Sequence, residues 1–155
     1  MKGSEKVIEK LNDLLSDELT AINQYMVHSE MNDNWGYEQL HKADEKRAID
    51  EMKHAEMLIA RILFLEGIPI VSNLKKINIG PEIEKQHKND WTSENDAITS
   101  YNDGIKLAMQ EKDNGTRELL ESILKDEEGH IDWLEAQLDQ IKQIGVQNYL
   151  VEQID

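Results

Sequence analysis

The chain has 155 residues and a formal net charge of −15, with 17 Lys and Arg against 32 Asp and Glu. This length predicts one domain, whose core can bury roughly two thirds of the unfolded surface without a disulfide or structural metal. The acidic balance argues against nucleic acid as a ligand, and the lack of cysteine excludes disulfides, iron–sulfur clusters and thiolate zinc sites and indicates a reducing compartment, the cytoplasm.

Long segments with almost no Pro or Gly carry apolar residues at helical spacing, which predicts long helices and argues against disorder. The first helix is predicted over residues 4–34, with Ser4 as its N-cap. The second is predicted over 37–65 and stops before Gly67. The short turn at 34–36 makes these two helices antiparallel. The longest apolar run in this half is interrupted by an arginine, so no membrane-spanning segment is predicted.

Residues 66–80 show no sustained period and are predicted to be a connector. Fifteen extended residues at up to about 3.3 Å each can span roughly 50 Å. A helix of about 28 residues is roughly 40 Å long. The connector can therefore cross the whole bundle and start the third helix parallel to the second.

The second half repeats this pattern. The third helix is predicted to begin near Pro81, in its first turn, and to end at residues 113–115. The fourth helix is predicted over 116–144 and a short fifth helix over 146–154. The prediction is therefore an all-α, up-down-down-up four-helix bundle with a long crossover and a small C-terminal helix, in one domain over 1–155.

An internal repeat relates the two halves at an offset of 76 residues. Several apolar positions and an aspartate coincide at this offset, so each half corresponds to one helix hairpin. The polar and aromatic residues that coincide are Glu18 with Glu94, Tyr25 with Tyr101, Glu51 with Glu127 and His54 with His130.

Six of these repeated residues lie on the apolar faces of their helices, so their side chains are predicted to point into the core. Buried ionised carboxylates are costly by several kcal/mol unless they are compensated. Two divalent cations would balance four glutamates, and oxygen ligands with one histidine on each ion suit iron or manganese. The sequence therefore predicts a dinuclear metal site formed by Glu18, Glu51, His54, Glu94, Glu127 and His130.

The Glu-x-x-His spacing alone is weak evidence, because it also occurs at Glu38/His41 and Glu84/His87 with no counterpart 76 residues away. The shared register, spacing and predicted burial carry the argument. His28, His41 and His87 are predicted to be ordinary surface histidines.

Tyr25 and Tyr101 each lie seven residues, about two turns, beyond a predicted ligand and on the same helix face. The sequence leaves two interpretations of these tyrosines open. In the first, both are core residues that find a hydrogen-bond partner. In the second, they serve the metal site as hydroxyl donors to its carboxylates or as electron donors.

Several segments together identify a family: Ala21-Ile22-Asn23-Gln24-Tyr25, Ile49-Asp50-Glu51-Met52-Lys53-His54-Ala55, Arg61-Ile62-Leu63-Phe64-Leu65-Glu66-Gly67, residues 126–135, and Gln147-Asn148-Tyr149-Leu150. With them, the chain resembles the bacterioferritins from end to end. The resemblance implies a cytoplasmic shell of twenty-four copies that stores ferric mineral, with a ferroxidase centre in each ferritin-like bundle that oxidises Fe(II) with dioxygen or peroxide. It also implies haem b between pairs of copies and a ferredoxin-type reductant for iron release.

Carried over residue by residue, the resemblance implies a division of the ligands. Glu18 and His54 hold one iron. Glu94 and His130 hold the other, and Glu51 and Glu127 bridge the two ions.

Met52 follows Glu51 directly and so points about 100° around the helix, away from the metal site. Together with Ile49, Ile59 and Leu63 it forms a second apolar stripe, which indicates a partner surface. Taken alone, the residue would simply pack on such a surface. The resemblance implies that Met52 is the axial ligand of a haem shared by two copies.

One position departs from the family. Some bacterioferritins carry a histidine where this chain has Lys46, and that histidine forms an iron site on the inner surface with Asp50. A lysine ammonium is not a metal ligand, so the resemblance implies slower delivery of iron to the interior than in members that carry the histidine.

Two other functions share parts of this pattern. A diiron peroxidase of the rubrerythrin type has the same duplicated motifs, but its rubredoxin-like cysteine pairs are missing here. A haem electron-transfer protein that uses the bundle only as a scaffold would not need the complete six-ligand set.

Overall fold

The computed structural model describes residues 1–155 and contains helices but no strands. Two hairpins, α1 with α2 and α3 with α4, pack side by side, and a short fifth helix packs on α4. This confirms the predicted four-helix bundle. The helices are α1 Glu5–Asn34, α2 Glu38–Phe64, α3 Ile83–Gln110, α4 Asn114–Ile144 and α5 Val146–Val151. No helix has an apolar stretch of the length and hydropathy required to span a bilayer.

The apolar core is divided into two clusters, one towards each end of the bundle. The larger cluster has eleven buried residues, among them Leu11, Leu58 and Leu120. The smaller cluster lies at the opposite end of the bundle, where α5 packs against the long helices. Burying each leucine is worth about 1.5–3 kcal/mol, so these clusters supply much of the stabilisation. The predicted metal ligands lie between them. The smaller cluster consists of Leu40, Ile83, Ile141 and Tyr149.

The connector is held against α1 by five polar side chains spaced four residues apart, which we call the polar ladder. This spacing places the side chains along one face of α1. The connector therefore runs parallel to α1, so that α3 begins at the end of the bundle where α2 begins and lies parallel to α2. The hydrogen bonds, of 2.7–3.1 Å, join Asn12 to Ile68 and Ile70, Ser16 to Asn73, Thr20 to Lys75, Gln24 to Asn78 and His28 to Gly80.

His28 is fully buried, so its prediction as a surface residue was wrong. The backbone N–H of Gly80 donates to its Nε2 at 2.9 Å, and its Nδ1 lies 3.0 Å from an oxygen of Asp90. Because a backbone N–H can only donate, Nε2 is the acceptor and Nδ1 donates to Asp90. The sequence places His28 on the polar face of α1, but the connector covers that face.

Helix ends differ from the sequence prediction where side chains supply caps. Ser4 precedes α1 in an extended conformation, but its hydroxyl makes no capping hydrogen bond. Pro81 lies two residues before α3, because the carboxylate of Glu82 accepts from two amides of the first turn. Asp113 accepts from the amide of Thr116 at 3.0 Å, so residues 114 and 115 begin α4 instead of ending α3. The fifth helix ends three residues before its predicted end.

Replacing a buried member of the polar ladder should destabilise the protein more than replacing an exposed one. Gln24 accepts from the amide of Asn78 at 3.1 Å and donates to buried Asp90 at 2.8 Å. Gln24→Leu leaves both groups without this partner, and we expect a loss of about 1–3 kcal/mol in the free energy of unfolding. Urea unfolding at fixed protein concentration measures this.

The matched control is Asn12→Ala, at the solvent-exposed end of the same ladder. Water can replace its hydrogen bonds, so we expect a loss below about 1 kcal/mol. Equal losses for the two variants would show that the buried part of the ladder has no special role.

Candidate metal centre

The structure brings all six predicted ligand residues together between the two apolar clusters. The carboxylates and one imidazole are almost fully buried, whereas the side chain of His130 is 14% exposed. Each of the four long helices contributes, since the i, i+3 spacing on α2 and α4 places a glutamate and a histidine on one helix face. Glu18 comes from α1, Glu51 and His54 from α2, Glu94 from α3, and Glu127 and His130 from α4.

The six residues form two overlapping groups of four, in each of which one potential ligand atom per residue lies within 4.8 Å of the others. Glu51 and Glu127 belong to both groups. Two adjacent cations could therefore share these two carboxylates while each took its own glutamate and histidine. The first group is Glu18, Glu51, His54 and Glu127, and the second is Glu51, Glu94, Glu127 and His130.

Each of the six residues also has one buried polar atom that makes no well-oriented hydrogen bond, although each imidazole Nδ1 lies 2.9–3.1 Å from a glutamate oxygen. Leaving such an atom unpaired costs about 1–3 kcal/mol, and more for a charged group. Cations bound among these atoms would satisfy all of them at once. The residues present thus fit a pair of metal ions. The atoms are Glu18 Oε2, Glu51 Oε1, His54 Nδ1, Glu94 Oε2, Glu127 Oε1 and His130 Nδ1.

The pKa values in the cluster show how strongly its charges interact. The pKa values of Glu18 and Glu127 lie well above the usual carboxyl value. Burial is the largest cause, and the charge of a neighbouring glutamate is the next. Burial disfavours the charged form of His130, but the adjacent carboxylates of Glu51 and Glu94 outweigh it and raise the pKa to about 9. Protons therefore partly neutralise the glutamates, and cations would have to displace them.

Two tyrosine hydroxyls donate hydrogen bonds to the cluster across the pseudo-repeat. Tyr25 on α1 donates to Glu94 on α3, and Tyr101 on α3 donates to Glu18 on α1. Burial, followed by the charge of the adjacent glutamate, raises the pKa of both hydroxyls well above the usual value, so both remain donors. Of the two interpretations left open by the sequence, hydrogen bonding to the predicted ligands matches this geometry.

A polar cavity of about 110 Å³ leads from the surface to the cluster between α1, α3 and the connector. Its floor includes the carboxylates of four of the predicted ligands, and its mouth includes Asp17, Asp96, Lys75 and Asn78. A small hydrated cation approaching from this side would meet acidic and neutral oxygen atoms and two lysines, Lys75, which pairs with Asp17 at 2.5 Å, and Lys76.

Sequence reasoning missed a buried charge beside the site. The guanidinium of Arg47 lies between the rings of Tyr25 and Trp133, at 5.1 and 4.5 Å from their centroids, and 3.4 Å from Asp44. Burial raises the pKa of Asp44 to about 7. The burial of Arg47 could have been predicted, because Arg47 lies one turn before Glu51 and so shares its buried helix face.

Two aspartates that coincide at the 76-residue offset contact the histidines of the site, and the sequence alone predicted this for neither of them. Asp126 lies 2.9 Å from Nε2 of His54, and Asp50 lies 3.4 Å from Nε2 of His130. Each aspartate immediately precedes a predicted glutamate ligand on its helix, so α2 and α4 each support the histidine of the other.

His87 is buried, so its prediction as a surface histidine was wrong, whereas His41 is partly exposed. The hydroxyl of Tyr149 donates to Gln137 and therefore accepts from Nε2 of His87 at 3.0 Å. Nδ1 of His87 is buried without a partner, so no acceptor is in place to stabilise a second proton on the ring. Helix α5 covers this end of the bundle, which the spacing of His87 along α3 could not reveal.

The sequence of the chain is similar to that of known proteins. Residues 8–144 match the family described as the ferritin-like domain. The chain is 42% identical over 149 residues to a bacterioferritin of Brucella melitensis, covering 96% of this chain and 92% of the relative. It is 40% identical to bacterioferritin BfrA of Mycobacterium tuberculosis, covering 96% and 94%, and 40% identical to a bacterioferritin of Rhodobacter capsulatus, covering 96% and 92%.

The burial of neutral His87 should make the protein lose stability in acid. Burial lowers its pKa from 6.5 to about 4, against the attraction of Asp90 and with smaller contributions from Arg47 and His28. Between these two pH values the unfolded chain binds a proton that the folded chain does not. The contribution is therefore complete above about pH 6.5 and is lost as the pH falls, by up to about 3 kcal/mol.

Urea unfolding between pH 7.5 and 4 should show a shallower loss for His87→Gln than for the unchanged chain. His41→Gln is the control, because the backbone carbonyl of Ser29 outweighs burial and raises the pKa of His41. Its removal should not flatten the profile. Parallel profiles for His87→Gln and the unchanged chain would contradict the assignment.

Proposed function

The chain belongs to the bacterioferritins, and on that premise we propose that it stores iron, oxidising Fe(II) to Fe(III) inside each bundle and keeping ferric mineral in a hollow shell of twenty-four copies. The observation that carries this proposal is the pair of overlapping four-residue groups that share Glu51 and Glu127. A purely structural bundle has no use for six converging, unsatisfied polar side chains.

In this proposal the cluster binds two iron ions. Glu18 and His54 would hold one ion, Glu94 and His130 would hold the other, and Glu51 and Glu127 could serve both. When bound, the pair would supply two electrons, one from each ion, which together with two protons would reduce one dioxygen to hydrogen peroxide or one hydrogen peroxide to two waters. The four carboxylates balance the charge of the two Fe(II) ions, and the apolar clusters on either side limit access by bulk water.

The remaining residues of the site hold the predicted ligands in position or line the path of Fe(II). Tyr25 and Tyr101 hold Glu94 and Glu18 through hydroxyls that stay protonated. Fe(II), as the substrate, would reach the glutamates through the polar cavity, past Asp17 and Asp96 at its mouth. Lys75 and Lys76 offset the two aspartates, but the four glutamates on the floor give the inner part of the passage a negative potential, which concentrates cations.

We further propose haem b between two copies, with Met52 of each copy as an axial ligand. Met52 is 45% exposed while its neighbour Glu51 is buried, so the two side chains leave α2 in different directions. Ile49 and Leu63 are exposed near it and extend the apolar surface. A thioether on an apolar face suits haem iron, and this haem would receive electrons from a ferredoxin-type reductant when iron is released.

Removing ligands from both metal groups should abolish rapid iron oxidation. In Glu18→Ala combined with Glu127→Ala, one group loses two of its four residues and the other loses one. We expect the fast phase of Fe(II) oxidation to slow at least about tenfold, since even indirect supports of a metal ligand contribute that much. Stopped-flow absorbance with oxygen consumption measures the rate, and size-exclusion chromatography tests whether the shell still assembles.

The control variant is Glu38→Ala combined with Glu84→Ala. These glutamates begin the two other Glu-x-x-His segments but pair with Lys42 and Lys88 at the surface. Their loss should leave the fast phase unchanged. A wild-type protein that neither consumes oxygen nor retains iron would refute the proposed function.

Haem binding should depend on Met52 and not on a neighbouring methionine of similar exposure. Met52→Leu keeps the apolar surface but removes the thioether, so we expect the haem absorption bands to be lost or shifted after reconstitution. Met57→Leu is the control, because Met57 lies on the same helix and is 44% exposed. Identical spectra for both variants would exclude Met52 as the ligand.

A further inference from the structure

The imidazoles of the two histidines in the metal centre have the same arrangement. Nδ1 faces the glutamates: that of His54 lies 3.1 Å from Glu127, and that of His130 lies 2.9 Å from Glu51. Nε2 faces an aspartate at the outer edge of the site, Asp126 in one case and Asp50 in the other.

The aspartates determine which nitrogen is free for a metal. An ionised carboxylate can only accept, so Nε2 keeps the proton of this hydrogen bond, and the proton that a cation would displace is the one on Nδ1, whose lone pair would then face the cluster. The same contact restricts rotation of the ring. Carboxylates that bond metal-ligating histidines in this way orient the ligand and raise its basicity.

The two aspartates are not equivalent, although the repeat relates them. Oδ2 of Asp50, which faces His130, also accepts from the ammonium of Lys46 at 2.8 Å, while its distance to Nε2 is 3.4 Å. At the position 76 residues after Lys46 the chain has Ser122, whose hydroxyl donates to the backbone of its own helix.

Asp126 consequently has no lysine or arginine partner, and its Oδ2 lies at the shorter distance of 2.9 Å from His54. The side chain of Asp126 is more exposed than that of Asp50, 60% against 24%, and water weakens its Coulomb effect. Its contribution is therefore the direction of the hydrogen bond, which holds the ring of His54 in place.

We propose that Asp126 and Asp50 are positioning residues for the two metal-ligating histidines, and that Lys46 makes the two metal positions unequal. Because Lys46 competes for the oxygen that faces His130, the position that includes Glu18 and His54 binds a divalent cation more tightly than the position that includes Glu94 and His130. This inference rests on the proposed function and adds an order of filling to it.

Anaerobic titration with Co(II) tests the inequality without iron oxidation. The d–d absorption of bound Co(II), together with calorimetry, reports the number and strength of the positions. We expect two classes, one Co(II) per chain in each. The titration of the Glu18→Ala, Glu127→Ala variant, which keeps every surface carboxylate, gives an upper limit for Co(II) bound outside the intact cluster.

The variants separate positioning from a general structural effect. Asp126→Ala should weaken the tighter class by roughly ten- to a hundredfold, and Asp126→Asn should restore most of the loss because its amide oxygen can still accept from Nε2. Lys46→Met should instead strengthen the weaker class, since it frees Asp50 for His130. Lys42→Met, one turn earlier on α2 and paired with Glu38, is the control and should change neither class.

Two equal classes that Asp126→Ala does not alter, or a weaker class that Lys46→Met leaves unchanged, would overturn the inference while leaving the dinuclear site intact. If Co(II) binding were the same in the unchanged chain and the Glu18→Ala, Glu127→Ala variant, the proposed function itself would fail, and the inference with it.

Discussion

Four glutamate carboxylates face one another between two apolar clusters, where each ionises only at a cost of several kcal/mol unless it is compensated. The helices hold them there because the clusters on either side pack well enough to fix the helix positions. Protons on His54 and His130, hydroxyl donors and a buried arginine reduce the repulsion only in part, and one polar atom of each predicted ligand residue makes no well-oriented hydrogen bond. Bound cations would relieve both the repulsion between the carboxylates and the poor pairing of these atoms.

Much of the fold and of the predicted ligand set could be predicted from the sequence, because both depend on the periodic spacing of residues along helices. Helical spacing predicts the four long helices to within a few residues, and a glutamate on an apolar face signals burial whatever its partner. Contacts between elements distant in the chain carry no such period. His28 and His87 were therefore assigned to the surface, since the connector that covers one and the helix that covers the other approach from elsewhere in the sequence.

Each half of the internal repeat contributes a tyrosine that hydrogen-bonds a glutamate of the other half. Tyr25 in the first half supports Glu94 in the second, and Tyr101 in the second supports Glu18 in the first. The shared glutamates come from one half each. A single hairpin would consequently present half of a ligand set without the hydroxyls that hold it, so the site exists only when both halves are docked.

The polar ladder constrains how the connector can change. From Ser16 to Asn73 and from His28 to Gly80, twelve residues of helix, about 18 Å, match seven residues of extended chain, which reach at most about 25 Å. The extended chain exceeds this span by about 7 Å, the length of roughly two residues. Deleting one residue here would move every later backbone group out of register with its side chain, whereas an insertion before residue 73 would leave the later contacts intact. Length variation among natural relatives should accordingly concentrate at the start of the connector.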